Sequence, residues 1–272
     1  TPNTDTDVAF VWQIPFSGHD HAMRFMGKCL GLIQASEMGA LNGMGETQQL
    51  MVMHAALGDF INVDTTTIPG LQRAKHLGLL TSSALGVQAV HSPLLYPTLT
   101  TLFSTSPGRG RIFAFFSDPI DTFVYQFYQH TKQNPLSLTI QEYVNYNSPS
   151  RPEFNPLTKA LSNYHDATED GPLTEEHHFR IAKEVIRQKF LVGLTDQMES
   201  SFQRLERVFS WQNSDVNTAG KCQNWNWAPQ PPTGIRKGSA VYNELIKKNN
   251  FDVKLFEYIK HIFDTQGEEL FS

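Results

Sequence analysis

Apolar positions along the chain alternate between short unbroken runs and runs spaced three or four residues apart, as buried strands alternate with amphipathic helices. The first unit covers residues 8–32. Val8, Ala9, Phe10, Val11 and Trp12 make a run short enough for a buried strand, and a break follows at Pro15 to Gly18. Met23, Phe25, Met26, Cys29 and Leu30 then recur at helical spacing. Further strands are expected at 60–63, 87–90, 111–116 and 190–194. The clearest is 111–116, launched from Pro107-Gly108-Arg109-Gly110 and stopped by Ser117-Asp118-Pro119. Asp118 or Ser117 caps the helix that follows, whose apolar face is Ile120, Phe123, Val124, Phe127 and Tyr128, expected against the sheet.

Residues 49–57, with Leu50, Met51 and Ala55, read as a short helix, and 71–79 as another. Thr174 is placed to cap a helix that buries Phe179, Ala182, Ile186 and Phe190. The stretch 195–211 turns Met198, Phe202, Leu205, Val208 and Phe209 inward, and helices near 241–247 and 253–263 close the chain. This order predicts an α/β three-layer sandwich, a central parallel sheet flanked by helices on both faces. The 272 residues suit one domain, 1–272, with a polar excursion at about 131–172, in which only Ser137 to Tyr146 suggests an ordered element, and a Trp/Pro-rich loop at about 213–234.

Charge narrows the partners. With 22 Lys+Arg against 27 Asp+Glu there is no basic surface for nucleic acid, so an anion must be met locally. No apolar run is long enough to span a bilayer and no signal-peptide pattern is present. The first residue is not Met, which suggests that a leader, anchor or tag has been removed. Cys29 and Cys222 allow one intrachain disulfide or two buried thiols. No N-x-Ser/Thr acceptor occurs.

Several residues carry candidate chemistry. The strand-loop-helix at 8–32 is where an α/β protein holds an anion, on the N–H groups of a new helix. Asp64-Thr65-Thr66-Thr67 either faces a ligand at a strand end or caps the turn before Ile68-Pro69-Gly70. His91, at another strand end, suits proton transfer or a structural hydrogen bond. His19 and His21 lie two apart with no third ligand identified, so no metal site is assigned. Trp225 and Trp227 either grip a planar or sugar ligand or clamp their loop to the body.

Two strand-end loops in this arrangement resemble the sulfotransferases that use 3′-phosphoadenosine 5′-phosphosulfate (PAPS), in particular their carbohydrate O-sulfotransferase branch. The resemblance implies a P-loop-like sulfotransferase fold. That family's first loop reads approximately Ile-Pro-Lys-Ser/Thr-Gly-Gly-Thr-Thr and holds the 5′-phosphosulfate; here it reads Ile14-Pro15-Phe16-Ser17-Gly18-His19-Asp20-His21. Its second loop runs from Arg-Asp-Pro to a Ser further along the helix and binds the 3′-phosphate; here Ser117-Asp118-Pro119 leads to Tyr125. Phe16 stands at the Lys position, Asp20 and His21 where hydroxyls donate, Ser117 at the Arg and Tyr125 at the Ser. Arg236-Lys237-Gly238-Ser239 is similar to the late Arg-Lys-Gly segment that helps hold the 3′-phosphate, and residues 250–263 resemble the family's C-terminal helix.

The donor positions carried over are therefore Ser17, Gly18, Ser117, Arg236, Lys237 and Gly238, in weakened form, with His91 as candidate general base and Arg24 and Arg111 as possible replacement charge. Two functions follow. One is a non-catalytic binding or structural component of a larger assembly, with protein partners and no cofactor. The other is an active PAPS-dependent O-sulfotransferase that leaves 3′-phosphoadenosine 5′-phosphate (PAP) and acts on a carbohydrate or other hydroxyl. The family resemblance allows the Golgi lumen or another organelle after leader removal. A P-loop nucleotide hydrolase is disfavoured, since no G-x-x-x-x-G-K-[ST] is present.

Overall fold

The computed structural model describes residues 7–35, 49–104, 110–133, 138–145, 153–164, 175–211, 225 and 235–272. Its strands are β1 Val8–Trp12, β2 Ile33–Ala35, β3 Val52–Ala55, β4 Gly58–Ile61, β5 Ala89–Ser92, β6 Gly110–Phe116 and β7 Phe190–Leu194. The helices are α1 His19–Lys28, α2 Ile68–His76, α3 Leu95–Thr98, α4 Pro119–Gln133, α5 Ile140–Asn145, α6 Pro156–Leu161, α7 Glu175–Lys189, α8 Met198–Phe209, α9 Ala240–Lys248 and α10 Asn250–Phe271.

One seven-stranded sheet runs β3-β4-β2-β5-β1-β6-β7, parallel throughout except for the antiparallel β3–β4 pair at its edge. The alternation of side chains along each strand assigns the two faces. Ala9 and Val11 of β1 and Phe113 and Phe115 of β6 join a core with α1 and α8, through Phe25, Met26, Phe202 and Leu205. Phe10, Trp12, Ile112, Ala114 and Phe116 point the other way, onto Ile186 of α7 and Leu255 and Ile259 of α10. Helices on both faces make the expected three layers, because strands this apolar must be covered twice. The apolar face of α4, expected against the sheet, instead closes a satellite core with α5 and α9, where Phe123 and Phe127 meet Tyr143 and Leu245, and Tyr128 is exposed.

Three further expectations need correcting. Residues 49–57 are not a helix: Val52–Ala55 is β3, paired from Val52↔Ile61 to Ala55↔Gly58. Helix α1 crosses this hairpin so closely that a Cβ on Gly58 would lie 2.6 Å from the Gly27 Cα, and such tertiary pairing overrides the helix preference of Leu50, Met51 and Ala55. The expected strand at 87–90 is Ala89–Ser92, so His91 lies inside β5 rather than beyond it. The excursion at 131–172 contains the ordered element expected at 137–146, as α5, and in addition α6, which anchors itself through fully buried Thr158 and Leu161. Strand β2, only three residues long, carries no sequence signal of its own.

Thr174, Cys222, Trp227 and Pro229 to Pro232 lie outside the described residues. Cys29 is disulfide-bonded. No helix among the described residues is long and apolar enough to cross a membrane.

Candidate functional site

Strands β1 and β6 are parallel neighbours, so the loops after them open at the same edge of the sheet. From β1 the chain moves to β2 on one side, and from β6 to β7 on the other. Such a divergence leaves a crevice at the carboxyl ends of the strands, the usual ligand position in open α/β sheets.

In the first loop Phe16 and Gly18 both adopt left-handed backbone, at φ 61 and φ 71. Gly18 is the N-cap of α1, and no side chain caps that helix. The Ser17 hydroxyl is buried and donates 2.7 Å to the Ile14 carbonyl, tying the loop to itself. Asp20, exposed in the first turn of α1, suits the helix dipole but would repel an anion there. The Phe16 ring meets the Tyr125 ring of α4 edge-on, with centroids 5.3 Å apart. Phe16 of the first loop thus touches Tyr125 on the helix that follows the second loop.

In the second loop the Ser117 hydroxyl accepts a 3.0 Å hydrogen bond from Thr195 Oγ1. Asp118 Oδ1 accepts from the Ile120 N–H at 2.8 Å, the capping role read from the sequence. The Asp121 carboxyl is raised above its ordinary range by burial and by Asp118, while Lys237 pulls it down. Ile235, just before the Arg236–Gly238 turn, packs against the core that holds Ile120 and Phe123 of α4. Arg236 and Lys237 are exposed, Gly238 sits at φ 81, and Ser239 caps α9 by accepting from the Tyr242 N–H.

His91 is wholly buried, and neither ring nitrogen has a hydrogen-bond partner among the described residues. Burial, with a smaller push from His19, lowers its pKa to about 3, so the imidazole is neutral at physiological pH. It pairs with Val11 across β1–β5, whose side chain lies on the α1 face. His21 accepts a 2.6 Å hydrogen bond from Trp225 Nε1, and Trp225 stacks edge-on against Phe25, so this Trp clamps its segment to α1.

The replacement charges are differently placed. Arg24 is exposed on α1. Arg111 bonds Asp7 at 3.1 Å, near the start of β6 and a strand length from the loop that ends it. Asp64 and Thr67 act as turn caps: Asp64 Oδ1 accepts from the Thr66 N–H, and Thr67 caps α2 from the Gly70 N–H. No group of three or more His, Cys, Asp or Glu among the described residues could hold a metal ion.

Between the two loops, on the α6–α10 side, lies a cleft of about 120 Å³. Trp12, Ile14, Phe116, Phe123 and Leu157 supply apolar wall, while Asp252 and Glu153 border it with carboxyl groups. Behind it, two helix N-termini cap each other. Asp252 of α10 accepts from the Leu157 N–H at 2.9 Å, the Thr158 N–H at 2.8 Å and the Thr158 hydroxyl at 2.6 Å, closing the start of α6. In return Asn155 Oδ1 accepts from the Phe251 and Asp252 N–H groups, while its Nδ2 donates to the Lys248 carbonyl. Burial pushes the Asp252 carboxyl up to about 6 against the pull of its three donors.

The Phe16–Tyr125 contact and this cap pair are absent from the sequence-derived site. Asn155 before Pro156 is a helix-start signal that could have marked half of the pair. Comparison with models of known protein families gives no match, and comparison with curated proteins gives none either.

Proposed function

We propose that this chain is a sulfotransferase-like protein whose PAPS site is degenerate, and that it serves as a binding or structural component, with protein partners in a larger assembly, rather than as a sulfuryl-transfer enzyme. The observation that carries this reading is the Phe16–Tyr125 contact. Two positions that in the resembled family bind the donor's two ends are here occupied by aromatic rings 5.3 Å apart, bridging the loops. The Phe16 ring cannot replace an ammonium toward phosphate, and the Tyr125 hydroxyl sits at the end of a ring packed on Phe16 rather than on a serine's short side chain.

Sulfuryl transfer needs its departing phosphate stabilised by preorganised donors. Each charge-assisted hydrogen bond lost costs about 1.5–3 kcal/mol, so losing those of the Lys and the Arg together weakens donor binding by orders of magnitude. The general-base role for His91 is also poorly served, since a neutral imidazole with a pKa near 3 accepts a proton weakly at neutral pH. The parallel sheet with both loops at one edge supports the P-loop-like sulfotransferase fold.

The test is calorimetric titration with PAP. No heat of binding up to millimolar PAP is expected. Micromolar binding would overturn the proposal in favour of an active O-sulfotransferase that uses PAPS.

A further inference from the structure

We propose that the cleft between the two loops binds a single-ring aromatic molecule bearing an amine. This inference rests on the proposed loss of the nucleotide donor and names what the same edge of the sheet would hold instead. Size is the first constraint. At about 120 Å³ the cleft is close to the cavity of about 150 Å³ that accepts benzene and well below the roughly 300–1,000 Å³ of ordinary ligand pockets. A space of this size matches one ring and is too small to enclose a nucleotide. Its walls suit that ring, since Trp12, Phe116 and Phe123 present aromatic surface beside Ile14 and Leu157.

Charge is the second constraint. Among the described lining residues there is no Lys, Arg or His, and the charges are the carboxyl groups of Asp252 and Glu153. Glu153 pairs with Lys159, which does not line the cleft, so its negative charge is offset in part. Asp252 is better placed to act on a ligand. Its Oδ1 accepts two hydrogen bonds from Thr158, while Oδ2 accepts one from Leu157, leaving an acceptor position unused on a side chain 1 % exposed.

The hydrogen-bond donors are largely spent on the protein. The Ser17 hydroxyl donates to Ile14, the Thr122 hydroxyl to Asp118, the Asn249 amide to Leu245 and the Trp12 indole to Pro93. Ser117 and Gln126 retain neutral donors. An acidic, acceptor-rich cleft with apolar walls attracts a cationic donor on a ring and repels an anion.

The experiment titrates the full chain at pH 7 with benzylamine, benzyl alcohol and benzoate, read by ligand-observed NMR and calorimetry, with PAP in parallel. Benzylamine is expected to bind saturably and at least about tenfold more tightly than benzoate, with benzyl alcohol between them. The variant Ala160→Phe, which fills the cleft from an exposed position on α6, should abolish binding while the thermal transition is retained. Glu153→Gln should narrow the preference for the amine. Benzoate binding as tightly as benzylamine, or benzylamine binding undiminished by Ala160→Phe, would overturn the proposal. If neither benzylamine nor PAP binds, the amine site alone fails; if PAP binds at micromolar concentration, the loss of the donor site fails with it.

Discussion

Helix N-termini at this edge of the sheet are treated in two opposite ways. At α6 and α10 the orphan N–H groups are answered by the chain itself, because Asp252 and Asn155 each reach across to the other helix. At α1 no side chain caps the helix; the turn is made by left-handed backbone at Phe16 and Gly18. The first arrangement is saturated and has nothing left to offer a phosphate. The second leaves the α1 N-terminus without a side-chain cap and carries Phe16 and Asp20 beside it. A strand-loop-helix turn can thus be shaped by glycine and backbone conformation alone, whereas any affinity of such a turn for an anion depends on the side chains around it.

The saturated pair gives the largest expected effect. Asp252→Ala strands two buried backbone N–H groups and one hydroxyl, each costing about 1–3 kcal/mol, so a loss on the order of 4 kcal/mol is expected. Denaturant unfolding measures it. A loss below about 1 kcal/mol would mean that water answers these donors, and that the pair resembles α1 more than it differs from it.

Next is the pH dependence on the α1 face. His91 titrates near 6.5 when unfolded and near 3 when folded, so between these values the unfolded chain binds more protons. Its contribution is complete above pH 6.5 and is lost as the pH falls toward 3. Asp252 runs the other way: its carboxyl, raised from 3.8 to about 6, makes the folded state lose stability as the pH rises between those values. The two slopes offset each other in the wild type. Comparison with His91→Leu separates them: the variant should match or exceed wild type at pH 7, where two unpaired ring nitrogens disappear, and gain a further 3 kcal/mol or so by pH 4. Parallel pH curves for the two proteins would show that His91 has a proton route and a partner.

These two sites also show what was legible in the chain. The β1-loop-α1 unit and the β6-loop-α4 unit could be read because each signal is local: an apolar run, a Pro or Gly break, a cap and a helical stripe. The β3–β4 hairpin could not, since Val52–Ala55 becomes a strand only by pairing with Gly58–Ile61 under α1. The mutual cap was hidden for a stronger reason: Thr158 and Asp252 are 94 residues apart, and no window holds both. Phe16 and Tyr125 were each visible as departures from a motif, but their contact needed the fold.

The α1 turn itself should be less sensitive than the cap pair. A Cβ on Gly18 would meet Met198 Cε at 3.5 Å, an ordinary contact, so Gly18→Ala is opposed only by its φ of 71. The left-handed conformation costs an L-residue about 1–2 kcal/mol, and thermal unfolding should register a loss of that size. A much larger loss would indicate that the turn carries packing as well as conformation.

The smallest effect bears most directly on the exchange of side chains. Edge-on aromatic pairs contribute about 0.5–1.5 kcal/mol beyond their buried area, and Phe16 is 44 % exposed, so a coupling near the lower end is expected from the double-mutant cycle Phe16→Ala and Tyr125→Ala. Stability alone would not distinguish an incidental contact from one that occupies the donor's place. Phe16→Lys combined with Tyr125→Ser does, because it removes the bridge and returns a cation and a hydroxyl to the two loops at once. If shape was kept while chemistry was exchanged, PAP affinity should rise at least tenfold over wild type, about 1.4 kcal/mol. An unchanged affinity in a folded double variant would mean that the backbone at Gly18 no longer presents its N–H groups to an anion, and that the cradle has lost its shape as well.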